Sequence, residues 1–223
     1  MSRSLIVAID GPSGVGKGTV ARTVSQALGY RHIDTGAMYR AVGWKALHDA
    51  VAPDDDEAVA ALARRADIVV EGGVVSIDGH DVTRAIRTPE IDKAAAAVAR
   101  LPHVRETLVA RQRQIGDQGG VVMEGRDIGT VVFPDADVKI YLDASPEERA
   151  RRRAGDPAHS GGQAGQEAVA ASIEARDKSD TTRTASPLTL AADATLIDTT
   201  GMPVDHVVSR VMQLVQQKCG ART

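Results

Sequence analysis

The chain has 223 residues, with 43% hydrophobic and 26% charged residues, which is enough for one core with insertions. A formal net charge of -3 argues against a general polyanion binder, and 2% aromatic residues leave no stacking platform for single-stranded nucleic acid. The single cysteine, Cys219, rules out an intrachain disulfide or a cysteine metal site; no apolar run reaches the length of a membrane span, and the short apolar start is no secretory signal, so a cytoplasmic protein is expected.

In chain order, Leu5–Ile9 is a short apolar run that ends at Asp10-Gly11-Pro12, the pattern of a buried strand entering a loop. Gly11-Pro12-Ser13-Gly14-Val15-Gly16-Lys17-Gly18-Thr19 follows directly. After Lys17, Val20, Ala21, Val24, Ala27 and Leu28 fall on one helical face. Strand, glycine-rich loop and helix form a phosphate cradle: backbone N–H groups turn inward, the helix N-terminus adds its positive end, and Lys17 reaches the β- and γ-phosphates. The usual G-x-x-x-x-G-K-[ST] pattern has Ser or Thr at the eighth position, where this chain has Gly18 followed by Thr19.

Ile33-Asp34-Thr35-Gly36-Ala37-Met38-Tyr39-Arg40 reads as a second loop-to-helix entry, capped by Asp34 or Thr35. Its Thr hydroxyl and Arg fork could grip a second phosphate; the plain alternative is a capped helix with a surface arginine. Ile68–Glu71 and Val74–Ile77 flank Gly72-Gly73 as a hairpin, followed by a turn at Asp78-Gly79. Pro102–Ile115 is helical, Val121–Met123 is a buried strand, and Glu124 at its end is a Walker-B-like carboxylate, a candidate with Thr19 to hold Mg²⁺ directly or through water.

Arg126 and Asp127 follow that strand, where ligands lie in an open α/β sheet; a mutual salt bridge is the alternative. Val138–Leu142 and Ala194–Asp198 are further strands, and Pro146–Arg153, Glu167–Asp177 and Val204–Lys218 are further helices. The alternation implies an α/β fold, a parallel sheet flanked by helices, with a small inserted antiparallel sheet. Arg149 and Arg153 share a helical face beside the Gly- and Pro-rich stretch 154–166, which suits a mobile, closing lid whose cations meet the ATP phosphates. An Asn-Lys-x-Asp guanine-reading motif is absent, and Asp177-Lys178-Ser179-Asp180 imitates it only in part.

Four segments together resemble the bacterial cytidylate kinases, P-loop nucleoside monophosphate kinases: Asp10–Thr19, Asp34–Arg40, Glu124–Asp135 and Arg183–Leu188. The resemblance runs in order over nearly the whole chain and rests most on Gly125-Arg126-Asp127-Ile128-Gly129-Thr130-Val131-Val132-Phe133-Pro134. It implies transfer of the γ-phosphate of ATP to CMP or dCMP with Mg²⁺; nothing in the chain demands a protein, nucleic-acid or membrane partner, so a monomer is expected. It further implies a core of residues 1–32 and 100–223, a monophosphate-binding insertion at about 33–99 and a lid at about 149–167.

By the same resemblance, Thr35, Tyr39 and Arg40 hold the phosphate and ribose side of CMP, Arg105 lies in its pocket, and Arg126 and Asp127 read the cytosine and its phosphate. Asp180 and Arg183 engage the sugar and nucleotide, and Arg176 lies near the transferring group, so that Lys17, Arg126, Arg176 and Arg183 form the catalytic set. Ala96 stands where some members place a serine beside the base, a departure that bears on one cytosine hydrogen bond. The rival readings are another small-molecule kinase on this scaffold, such as an adenylate, UMP or shikimate kinase, and an ATP-sensing module without transfer.

Overall fold

A computed structural model describes residues 4–156 and 166–220. The elements run β1 (Ile6–Asp10), α1 (Lys17–Leu28), β2 (Arg31–Asp34), α2 (Thr35–His48), α3 (Asp56–Arg65), β3 (Ile68–Glu71), β4 (Val74–Ile77) and β5 (His80–Asp81). They continue with α4 (Pro89–Val98), α5 (Pro102–Gly116), β6 (Val121–Gly125), a π-helical turn at Ile128–Val132, β7 (Val138–Asp143), α6 (Pro146–Ala154), α7 (Gln166–Thr182), β8 (Thr195–Asp198) and α8 (Val204–Gly220).

Five strands form a parallel sheet in the order β2-β6-β1-β7-β8. All five residues of β1 and of β6 are buried. Side chains alternate across the sheet, so Val7, Ile9 and Val122 pack with Val20, Val24 and Val211 on one face, while Ala8 and Met123 pack with Ile33, Val109 and Ile128 on the other. A strand covered on both faces must be apolar at every position, which is why these runs do not alternate in polarity.

A second core fills the insertion, where Met38 and Val42 of α2 meet Leu62 of α3, Ile77 of β4 and Ile91 of α4. β3, β4 and β5 form the small antiparallel sheet expected from the Gly-Gly turn. Gly72 and Gly73 have φ of 60° and 85°, the pair of positive angles that a tight hairpin turn requires.

The four strands read from the sequence are present within a residue or two, and α7 runs on past Asp177 to Thr182. β2, α3 and α4 add to that reading. The segment entering α2 is strand, not loop, up to Asp34, whose carboxylate caps the helix by accepting the Ala37 N–H at 2.9 Å. Most of the 154–166 stretch lies outside the described residues. Among the described residues, no helix is long and apolar enough to cross a membrane.

Candidate active site

Parallel pairing brings the carboxyl ends of β1, β2 and β6 level, with Asp10 opposite Gly125 and Asp34 opposite Glu124. Each strand therefore delivers its loop to the same edge of the sheet, where a cleft of about 1220 Å³ opens. A single small-molecule pocket holds roughly 300–1,000 Å³, so this cleft has room for more than one ligand.

On one side lies the turn from Gly11 to Thr19. α1 starts from Gly16 at φ 90°, with no side-chain cap and no acidic residue in its first turn. Its first N–H groups are thus left to an outside anion, as the helix dipole favours. Lys17 is buried and donates Nζ bonds to the carbonyls of Gly11 (2.8 Å) and Pro12 (2.7 Å). Burial and the Arg126 guanidinium push its pKa well below the usual lysine range.

Gly18, at the eighth position of the loop, lies against Glu124. A Cβ on it would stand 3.3 Å from Glu124 Oε1, so a larger residue would press on that carboxylate. Glu124 lines the cleft beside Thr19, and its Oε1 lies 2.9 Å from His32 Nε2. Among the described residues no three His, Cys, Asp or Glu side chains converge on a metal site. One carboxylate and one hydroxyl fit a hard cation that keeps its waters and binds mainly through phosphate oxygens.

The arginines of the cleft are organised by carboxylates. Arg126 donates Nε to Asp180 at 2.8 Å, and Arg40 donates Nε to Asp92 at 3.0 Å. Arg105 donates to Asp127, with its guanidinium 5.4 Å from the Tyr39 ring centre, and Arg183 lies 3.6 Å from both Asp127 and Asp180. Arg126 and Asp127 are therefore each paired elsewhere rather than with one another. Burial opposes the charge on Arg126 and Arg105, yet their carboxylate partners, joined for Arg105 by Tyr39, raise both pKa values; burial pushes Tyr39 up to about 12.

Arg176 is held less well. Burial, with Arg40 and Arg126 nearby, drags its pKa down to about 9, and its Nε makes no hydrogen bond. Arg105 Nε and Arg183 Nη2 are likewise buried without hydrogen-bond partners. Unsatisfied guanidinium N–H groups are rare inside proteins, and Arg176 is the one of these three arginines that lines the cleft.

Lys17, Thr19, Arg40, Arg126, Arg153 and Arg176 line the cleft. Arg105, Asp127, Asp180 and Arg183 form a buried ionic cluster and are not among the residues that line the cleft; nor is the buried Thr35, whose hydroxyl donates to the Glu124 carbonyl at 2.7 Å. Arg149 is placed differently from Arg153: it pairs with Asp177 and donates to the Ser13 carbonyl at 3.2 Å, bracing the turn instead of lining the cleft.

Arg87 and Arg152 are cleft residues that the motifs did not single out. Arg87 pairs with Asp34 at 3.2 Å, and Arg152 donates to the Thr199 hydroxyl and carbonyl at 2.9 and 2.6 Å. The arginine run 151–153 was the signal for the second; the first has none.

Asp10 joins the two sides. Its carboxylate accepts the Ile128 and Gly129 N–H groups at 2.9 and 2.8 Å, tying the strand before the glycine turn to the segment after Arg126 and Asp127. Burial raises its pKa from 3.8 to about 6 despite these bonds. The folded state then holds a proton that the unfolded chain has released, so stability falls as pH rises from about 4 to about 6. Asp10→Asn is expected to flatten that part of the stability profile, read by urea unfolding at pH 4.5 and 6.5; an unchanged slope would remove Asp10 as its source.

The family model described as cytidylate kinase matches residues 7–217. A cytidylate kinase of Desulfitobacterium hafniense is 48% identical over 98% of this chain and 95% of its own length. One from Pelotomaculum thermopropionicum is 51% identical over 94% and 95%, and one from Bacillus subtilis is 46% identical over 98% and 99%. A shikimate kinase from Bacteroides thetaiotaomicron shares the fold, with a TM-score of 0.51, 10% identity and coverage of 95% of this chain and 98% of its own. Matched by the family model over residues 7–217 and by these relatives over nearly their whole length, the chain belongs to the cytidylate kinase family.

Proposed function

We propose that the protein transfers the γ-phosphoryl group of ATP to CMP or dCMP, giving ADP and CDP or dCDP. The observation that carries this reading is one cleft lined both by the uncapped start of α1 with Lys17 and by Arg40, Arg126 and Arg176, which supports two anion sites. ATP lies with its phosphates in the turn from Gly11 to Thr19. The acceptor's phosphate meets Arg40 and Arg126, and its base and sugar are read by the cluster of Arg105, Asp127, Asp180 and Arg183, with Tyr39 and Thr35 shaping the pocket.

The cluster is closed by its own ion pairs, so reading a base involves exchanging some of them for bonds to the nucleotide. Transfer is in line, through a loose transition state whose charge sits on the equatorial oxygens of the moving group. Lys17, Arg126, Arg176 and Arg183 neutralise that charge, and Arg176, the guanidinium held least by protein carboxylates, has most to gain from it.

When bound, Mg²⁺ would supply positive charge against the phosphates. Glu124 and Thr19 would hold it, with His32 fixing the carboxylate. Glu124→Gln is expected to raise the Mg²⁺ concentration for half-maximal rate several-fold, measured by titrating Mg²⁺ at saturating ATP; an unchanged Mg²⁺ curve would free Glu124 of that role. The residues around 149–167 are read as the lid, and exclusion of water by its closure implies slow ATP hydrolysis without acceptor.

A coupled assay across CMP, dCMP, UMP and AMP tests the function. Preference for the cytidine nucleotides supports it, and rapid acceptor-independent ATP hydrolysis contradicts it.

A further inference from the structure

We infer that Asp92 is a positioning residue for the transfer, holding Arg40, Arg153 and Arg176 around one point of the cleft. Asp92 lies on α4. Its Oδ1 accepts Arg40 Nε at 3.0 Å and stands 3.5 Å from Arg176 Nη1, while its Oδ2 accepts Arg153 Nη2 at 2.6 Å. The three guanidiniums come from α2, α7 and α6. A single carboxylate therefore ties the acceptor-side helices α2 and α4 to the donor-side helices α6 and α7.

The direction of these contacts separates positioning from competition. All three arginines line the cleft, and Asp92 is not among the residues that line it. Arg40 spends its Nε edge on Asp92, which leaves its terminal nitrogens for a cleft ligand. Arg126 is held by Asp180 in the same manner, through Nε at 2.8 Å. A guanidinium anchored by one edge has lost its rotamer freedom before substrate arrives, and fewer degrees of freedom remain to be frozen on binding.

Electrostatics make the tie necessary. Arg40 lowers the pKa of both Arg153 and Arg176, so the three cations repel one another. Burial alone would raise the pKa of Asp92, but Arg40, Arg153 and Arg176 outweigh it and hold the carboxylate at about 2. Asp92 is thus a permanent anion under working conditions, and its removal would let the arginines separate. None of the four motif segments contains it, which is why motif reading passes over it.

The inference rests on the acceptor role proposed for Arg40 and on the ATP-phosphate role expected from the sequence for Arg153, and the test separates these from the role of Asp92. Asp92→Asn keeps the shape and removes the charge. Expected, at temperatures where the variant is folded, are a higher KM for CMP and a lower kcat, together lowering kcat/KM by about 10- to 100-fold, alongside a lower melting temperature because the three arginines lose their common counter-ion. Arg153→Gln should add much less in the Asp92→Asn background than in the wild type.

An unchanged or lower KM for CMP in Asp92→Asn, or fully additive effects of the two substitutions, overturns the inference. Should Asp92→Asn not fold, Arg153→Gln alone severs the same tie and should raise the KM for CMP as well as for ATP; an effect on ATP only overturns it. Arg40→Gln is measured alongside: if it keeps the wild-type KM for CMP, the cleft assignment itself fails, whereas a raised KM there with none in Asp92→Asn fails Asp92 alone.

Discussion

Lys17→Met is expected to lower kcat by about 10³-fold or more while leaving a folded protein. The ammonium is the one cation inside the glycine turn, and it is held by the turn's own carbonyls at 2.7 and 2.8 Å rather than by a carboxylate. A cation so held is pre-oriented and not neutralised, which makes it available to charge that develops on phosphate oxygens. Its depressed pKa shows that the fold bears the charged form at a penalty, so methionine removes an unfavourable buried charge together with two hydrogen bonds. The melting temperature should therefore stay close to the wild-type value, and steady-state rates with calorimetry check both parts. A variant that transfers phosphate at near wild-type rate contradicts the role of Lys17; one that merely unfolds contradicts the account of its burial.

Asp127→Ala is expected to act first on stability. Asp127 is 5% exposed, and it is the carboxylate bonded to Arg105 and within 3.6 Å of Arg183, which are 3% and 4% exposed. Removing one partner of a buried ion pair leaves the other charge uncompensated, at about 3–5 kcal/mol. For a chain of this size that corresponds to a melting temperature lower by about 6–20 °C. The KM for CMP should rise in parallel at temperatures where the variant is folded, because the surviving arginines repel each other where the base is read. A melting temperature within a degree or two of wild type would mean that Asp180 alone balances both arginines, and the cluster would be a looser device than its burial implies.

Much of this site was legible because phosphate chemistry leaves a local imprint. A turn that points consecutive amides inward needs glycines at set places, and they are contiguous in sequence. The Gly-Gly hairpin and the apolar runs of β1, β6 and β7 were readable for the same reason, since their causes lie within a few residues. β2 was missed: it is four residues long, and only Ile33 among them is buried, which is too short a pattern for period-2 reading. α4 was also missed, although Thr88 capping the Ile91 N–H and Pro89 in the first turn are local start signals.

What the sequence could not show was which arginine meets which acid. Arg126 faces Asp180 and not its neighbour Asp127, and Arg40 meets Asp92, 52 residues away. Arg149 and Arg153 share a helical face, yet one braces the glycine turn and the other reaches across to α4. Those choices are set by how α4, α6 and α7 pack, and no spacing rule encodes them.

A crystal structure with CMP and a non-hydrolysable ATP analogue tests the two-anion cleft most directly. The account predicts the donor's terminal phosphorus about 3–3.5 Å from an oxygen of the CMP phosphate, with Lys17 on the donor side and Arg40 and Arg126 on the acceptor. Cytosine bound away from Arg105, Asp127 and Arg183, or the two phosphates lodged apart with those guanidiniums still paired only to their acids, would contradict it.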